Sequence, residues 1–221
     1  MQIARSLVFT CLLLFTAAGL YAQAEVAPFE GTIEYDVRFS GPLSENLKTN
    51  EANNRLQMHL KGGDYIVNLI GGRYPKTFMY VNEKDVEFSI DANQRTAYVY
   101  SSHTDLNRET KDVPTARFSG KTAEVDGLSC EVFRMKKDDN LFVFFVSDKY
   151  QVDLSQFEGK KRAKPFFLVE GLNGRIPLKI LRKSEGLTVE TKVAKITPRE
   201  FAPEQFRLPE GFTIDKRDYR P

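Results

Sequence analysis

The stretch that comes nearest to a catalytic device is Gly127-Leu-Ser129-Cys-Glu131. A nucleophile elbow places its serine between two glycines on a sharp strand-to-helix turn. Glu131 stands where the second glycine belongs, and the segment opens a run of strand-type alternation, so esterase chemistry is not expected. The only two histidines are His59, on an alternating strand face, and His103, in a polar loop. Neither has a second ligand at helical or hairpin spacing, which argues against a zinc site. Asp138-Asp139-Asn140 offers oxygen ligands without the rest of a calcium loop and reads as a turn. Gly62-Gly63 and Gly71-Gly72 lack the strand-to-helix setting of a phosphate loop and read as hairpin turns. No catalytic residue, metal ligand or cofactor is expected, and the chain does not read as an enzyme.

What remains is apolar surface. Leu141-Phe-Val-Phe-Phe-Val146 is apolar on both faces of a strand, and such a strand must be covered on both. Each exposed Phe or Leu side chain forfeits roughly 1.5–3 kcal/mol. Phe142, Phe144, Val146, Phe166 and Phe167 are therefore the candidate lining of an apolar ligand cavity, with cover by other parts of the chain as the alternative. The basic run Lys160, Lys161, Arg162 lies just before Phe166 and is a candidate for contact with anionic lipid head groups, or else a solvated loop.

These residues need a scaffold, and the pattern supplies strands. Phe29–Phe39 alternates cleanly, with Phe29, Gly31, Ile33, Tyr35, Val37 and Phe39 on one face. Short β-prone runs follow at 55–61, 65–70, 76–81, 86–90 and 95–100, separated by Gly, Asn and Asp. Two further runs, 113–118 and 121–125, lead into a hairpin formed by Gly127–Met135 and Leu141–Val146. Segments 166–169, 176–181 and 187–196 complete the set, with Pro177 marking an edge, a bulge or a strand start. Residues 43–54 and 148–158 could each form a short helix or a loop, and Phe206, Leu208 and Phe212 are expected to pack onto the sheet. The fold class is mainly β (α+β in the alternative): a strongly curved antiparallel sheet or incomplete barrel with at most one or two short helices.

Arg5, the apolar run Leu7–Leu20 and the small-x-small pattern Ala22-Gln-Ala24 predict a cleaved signal peptide over residues 1–24 and an exported domain over 25–221. With Cys11 in the leader, Cys130 is the only cysteine left, so no internal disulfide is expected. It reads as a small buried residue, with an intermolecular disulfide or reactive thiol as the alternative. A formal charge of +2 spread along the chain carries no nucleic-acid footprint.

Several short motifs carry a resemblance. They are Phe29-Glu-Gly-Thr-Ile-Glu-Tyr35, Gly-x-x-Cys at Gly127–Cys130, the strand ending in Ser147-Asp148, Gly-x-x-Pro-Leu at Gly174–Leu178, and Phe-x-Leu-Pro-x-Gly-Phe at Phe206–Phe212. The chain resembles exported Bacteroidetes proteins of unknown function whose fold is similar to the lipoprotein carriers LolA and LolB. The resemblance implies an incomplete β-barrel around a helical plug or an apolar cavity, which in the carriers holds acyl chains. No catalytic residues come with it. The expected role is a non-catalytic, monomeric protein of the periplasm or cell envelope that binds a lipid or a lipoprotein acyl chain and touches the membrane surface. The alternative is an interaction or scaffolding protein that buries its apolar face against a partner chain.

Overall fold

The computed structural model describes residues 27–42, 54–72, 76–101, 114–157 and 169–216. The expected signal peptide lies outside these residues, as do the strand run at 166–168 and nearly all of the possible helix at 43–54.

Twelve strands form one sheet: β1 (Gly31–Ser40), β2 (Arg55–Lys61), β3 (Asp64–Ile70), β4 (Lys76–Val81), β5 (Val86–Asp91), β6 (Thr96–Ser101), β7 (Arg117–Val125), β8 (Leu128–Lys137), β9 (Asn140–Gln151), β10 (Arg175–Ser184), β11 (Leu187–Pro198) and β12 (Thr213–Asp215). Their spatial order is β12-β6-β5-β4-β3-β2-β1-β11-β10-β9-β8-β7. Every pairing is antiparallel except β12 with β6. The fold is therefore mainly β, and the described residues contain short 3₁₀ turns but no α-helix.

Two meanders meet at a seam. β1–β6 lie side by side in sequence order as antiparallel neighbours, as do β7–β11, and β1 pairing with β11 joins them. Local turn chemistry sets the β7–β8 register. At Asp126-Gly127 both residues have positive φ (49° and 78°), the geometry of the two-residue hairpin turn that matches strand twist. Of the run expected at 113–118, Val113 lies outside the described residues, 114–116 are not strand, and only Arg117 and Phe118 join the 121–125 run in one strand, β7, with a bulge between Phe118 and Lys121. Pro177 sits at a bulge of β10, where its missing N–H costs no ladder bond. Twist of about 20–25° per neighbour, summed over so many strands, curls such a sheet strongly, and each bulge adds to the bend.

Curling brings distant strands together. One core cluster joins Ile33 and Tyr35 of β1, Met58 and Leu60 of β2, Val67 of β3 and Tyr80 of β4 to Ile176 of β10. Val152 and Phe157, from the segment ending in the 3₁₀ turn Leu154–Phe157, fill the same cluster. Among the described residues no α-helix fills the place of the helical plug that the resemblance implies as the alternative to an apolar cavity. On the opposite face of β3–β6, Met79, Phe88 and Ala97 pack with Leu208 and Phe212 of the C-terminal segment. That segment is pinned at Phe201, whose N–H donates to Glu30 Oε1 at 2.9 Å and whose carbonyl accepts from Lys61 Nζ.

Candidate functional site

Strand β9 lies at the centre of the site. Its Phe142 and Phe144 share one face with their rings stacked, centroids 6.2 Å apart and 9° from parallel. Directly opposed residues of an antiparallel pair share a face, so the register extends this face into two rows. The lower row runs Phe118, Phe133, Phe144, Ile180, Thr191, Val37 from β7 to β1. The upper row runs Met135, Phe142, Arg182, Val189, Phe39 from β8 to β1.

Burial divides the face. Around Phe144 and Val146, 2% and 1% exposed, protein supplies the cover: Ala116, Leu172, Phe133 and Ile180 form one cluster with them. The cover is held by the Ala116 N–H donating to the Glu170 carbonyl at 2.8 Å. Gly171 (φ +93°) makes that approach possible, because a Cβ there would lie 2.1 Å from the Ala116 carbonyl oxygen. Further along the face, Phe142, Val189, Val37 and Phe39 are half-buried, Phe142 and Val37 each packing on one side against a core cluster, and Phe118 on the edge strand is 51% exposed. Arg182, exposed, is the one charged residue in the two rows.

The other face of the same strands is covered differently. Leu141, Val143 and Phe145 lie among Lys183, Leu181 and Lys179 of β10 and Lys136, Arg134 and Val132 of β8. Lys179 Nζ sits 5.8 Å from the Phe145 ring centroid. Phe145 also packs against the buried cluster of Val125, Cys130 and Leu178, so apolar side chains and basic stems cover this side together.

Of the residues singled out in the sequence, Phe142, Phe144 and Val146 share one face, with Phe142 at the open part and the other two in the core. Phe166, Phe167, Lys160, Lys161 and Arg162 lie outside the described residues. The sequence pattern does not mark Phe39, Val37, Val189 and Arg182 as site residues, because only the β1–β11–β10–β9 register places them beside Phe142. The one available signal is the alternation along β1, which puts Val37 and Phe39 on the same face.

The other residues that the sequence singles out for chemistry lie elsewhere in the fold. Ser129 is exposed at the start of β8, and Cys130 is buried and free, its thiol pushed up by burial and directed at the Leu128 carbonyl at 3.5 Å. Asp138 and Asp139 form the β8–β9 turn, with Asp138 at φ +52°. His59 Nδ1 lies 2.9 Å from Thr32 Oγ1, and its ring meets Phe201 edge-on at 5.5 Å. Among the described residues no three His, Cys, Asp or Glu side chains group as metal ligands, and no helix is long and apolar enough to cross a membrane.

No family model matches the sequence, and no curated protein matches it. Among solved structures, an uncharacterised conserved protein from Thermus thermophilus is similar over 85% of this chain and 91% of its own, with a TM-score of 0.50 and 8% identity. That likeness shows a shared fold. PNGF-II is similar with a TM-score of 0.48 and 12% identity over 84% of this chain; the chain spans only 31% of that protein's length. The lipoprotein LppX of Mycobacterium tuberculosis gives a TM-score of 0.35 and 11% identity, over 86% of this chain and 98% of its own.

Proposed function

We propose that the chain is an exported, non-catalytic protein of the cell envelope that binds the hydrocarbon chain of a lipid on the half-open face of β1, β11, β10 and β9. The observation that carries this reading is the upper row, where Phe39 and Val189 on the paired strands β1 and β11, beside Val37, and Phe142 on β9 across Arg182, remain half-buried. Apolar side chains grouped on a folded surface around a single charge mark an interaction site. An acyl chain laid along it would recover burial that the described residues leave incomplete, with Arg182 in position to meet an anionic head group. The adjoining floor of Phe144, Ile180 and Phe133 is already packed, so the face needs little rearrangement to receive a ligand. The expected signal peptide supports the compartment.

The test is organic extraction of the purified mature protein with mass spectrometry of the extract, alongside titration with a fluorescent fatty acid. Co-purifying lipid, and binding that Phe142→Asp abolishes, are expected. An empty extract together with no fatty-acid binding overturns the proposal.

A second reading, docking of a partner chain, is favoured by Phe118, 51% exposed on the edge strand β7. Sedimentation separates the two: a compact monomer supports the lipid site, and a stable oligomer that Phe118→Ser dissolves supports the interface.

A further inference from the structure

The face of β1 and β7–β11 opposite the proposed lipid site carries a basic array. Three rows compose it: Lys136, Leu141, Lys183, Thr188, Ser40; then Arg117, Arg134, Val143, Leu181, Glu190, Arg38; then Lys121, Val132, Phe145, Lys179, Lys192, Asp36. Eight of these side chains are basic and two are acidic. Arg38, Arg117, Lys121, Arg134, Lys136 and Lys183 are exposed.

Within the array like charges stand directly opposite each other, Arg117 against Arg134 and Lys179 against Lys192. Such cross-strand pairs destabilise a sheet. Among the described residues the ion pairs of this face are Lys179–Glu190 at 2.6 Å and Lys192–Asp126 at 2.7 Å. They relieve the lysine pair and leave the arginine pair facing solvent. A sheet shaped by stability alone would not place two arginines there, but a face that meets negative charge gains from it.

We propose that this face docks on the anionic head-group layer of a phospholipid membrane. The charges lie on five of six adjacent strands, a span of about 24 Å along the sheet at roughly 4.8 Å between neighbours, and on three rows, so they cover an area rather than track a line. A plane of head groups presents negative charge in that form. Nucleic-acid binding calls for aromatic platforms on which bases stack, and here the one aromatic ring, Phe145, lies beneath Lys179. The apolar residues between the charges, Leu141 and Leu181, suit the boundary just below the head groups, with basic side chains reaching outward. Docking through this face leaves the opposite one free, and neither function requires the other.

The experiment is co-sedimentation of the purified mature protein with phosphatidylcholine vesicles, with and without phosphatidylglycerol, across a salt series. Binding only to the anionic vesicles, lost at high salt, is expected. Lys183→Gln and Lys136→Gln should each weaken it about fivefold. Arg134→Glu should weaken it more than either, yet raise the unfolding temperature, because the new carboxylate would then face Arg117. Opposite movement of affinity and stability is the signature that a merely structural arginine cannot produce. Equal binding to neutral vesicles, unchanged binding by Arg134→Glu, or binding to a mixed-sequence oligonucleotide in place of vesicles overturns the proposal.

Discussion

The hydroxyl of Tyr35 on β1 donates to the main-chain carbonyl of Pro177 on β10 at 3.1 Å, reaching past the intervening strand β11. The bend at Pro177 turns a carbonyl out of the ladder, and Tyr35, 2% exposed, satisfies it. Burial drives the phenol's pKa well above its ordinary value, so it remains a donor at all physiological pH. Tyr35→Phe leaves the carbonyl unpaired in the core and should cost about 1–3 kcal/mol. Equilibrium urea unfolding measures it.

Arg175 ties three elements together. Its Nη1 reaches Glu131 at 2.6 Å and Asp148 at 3.0 Å, its Nε donates to the Leu172 carbonyl at 3.0 Å, and its guanidinium lies 4.9 Å from the Phe133 ring centroid. Arg175→Met keeps the stem and loses the fork. A loss of about 2 kcal/mol is expected in urea melts, with Arg175→Lys recovering little because an ammonium cannot serve three acceptors in that geometry.

Phe142 and Phe144 separate ligand binding from stability. Phe144→Ala opens a cavity in the core and should cost about 3–5 kcal/mol. Phe142→Ala acts on a half-buried ring and should cost distinctly less, while weakening fluorescent fatty-acid binding more than any surface substitution elsewhere. Equal effects of the two on melting would contradict this division of the face into a packed floor and an open part.

Glu87 faces Tyr80 across the β4–β5 pair, and burial holds its carboxyl pKa above the ordinary carboxylate value. The folded state therefore binds its proton more tightly than the unfolded state does. Its contribution is favourable below the ordinary value and lost as pH rises through the raised one. Glu87→Gln should raise the urea midpoint at pH 7 and flatten the pH dependence over that acidic window. His59 carries the opposite sign: burial, then the charge of Arg199, lowers its pKa, so its contribution is lost as pH falls below its ordinary value.

Strand positions were legible because alternation and turn residues are local. The 55–61 and 76–81 runs agree residue for residue, and Phe206, Leu208 and Phe212 pack as their spacing suggested. The short run Thr213–Asp215, parallel to β6, was not legible, since nothing in three residues with Thr213 and Ile214 exposed marks a strand. The open part of the face was also hidden. Phe142 could be named from its own strand, but its neighbours Arg182, Val189 and Phe39 belong to strands whose pairing is decided by the fold of the entire chain. The two-sided apolar character of Leu141–Val146 has a cause on each side: the cluster around Phe144 on one, and on the other the cluster of Val125, Cys130 and Leu178 against Phe145, beside lysine and arginine stems.

The seam between β1 and β11 also bears on how the chain reaches this state. Among the described residues β1 is the first strand in sequence, and it lies in the middle of the sheet, opposite residues such as Thr197 and Ile196. Each meander can form from neighbours in sequence, yet their union waits for nearly the last strand to be available. Contacts of such long sequence separation make folding slow. A chain threaded through a membrane from its N-terminus would therefore stay unjoined in transit, and the sheet would close only after its C-terminal part had emerged.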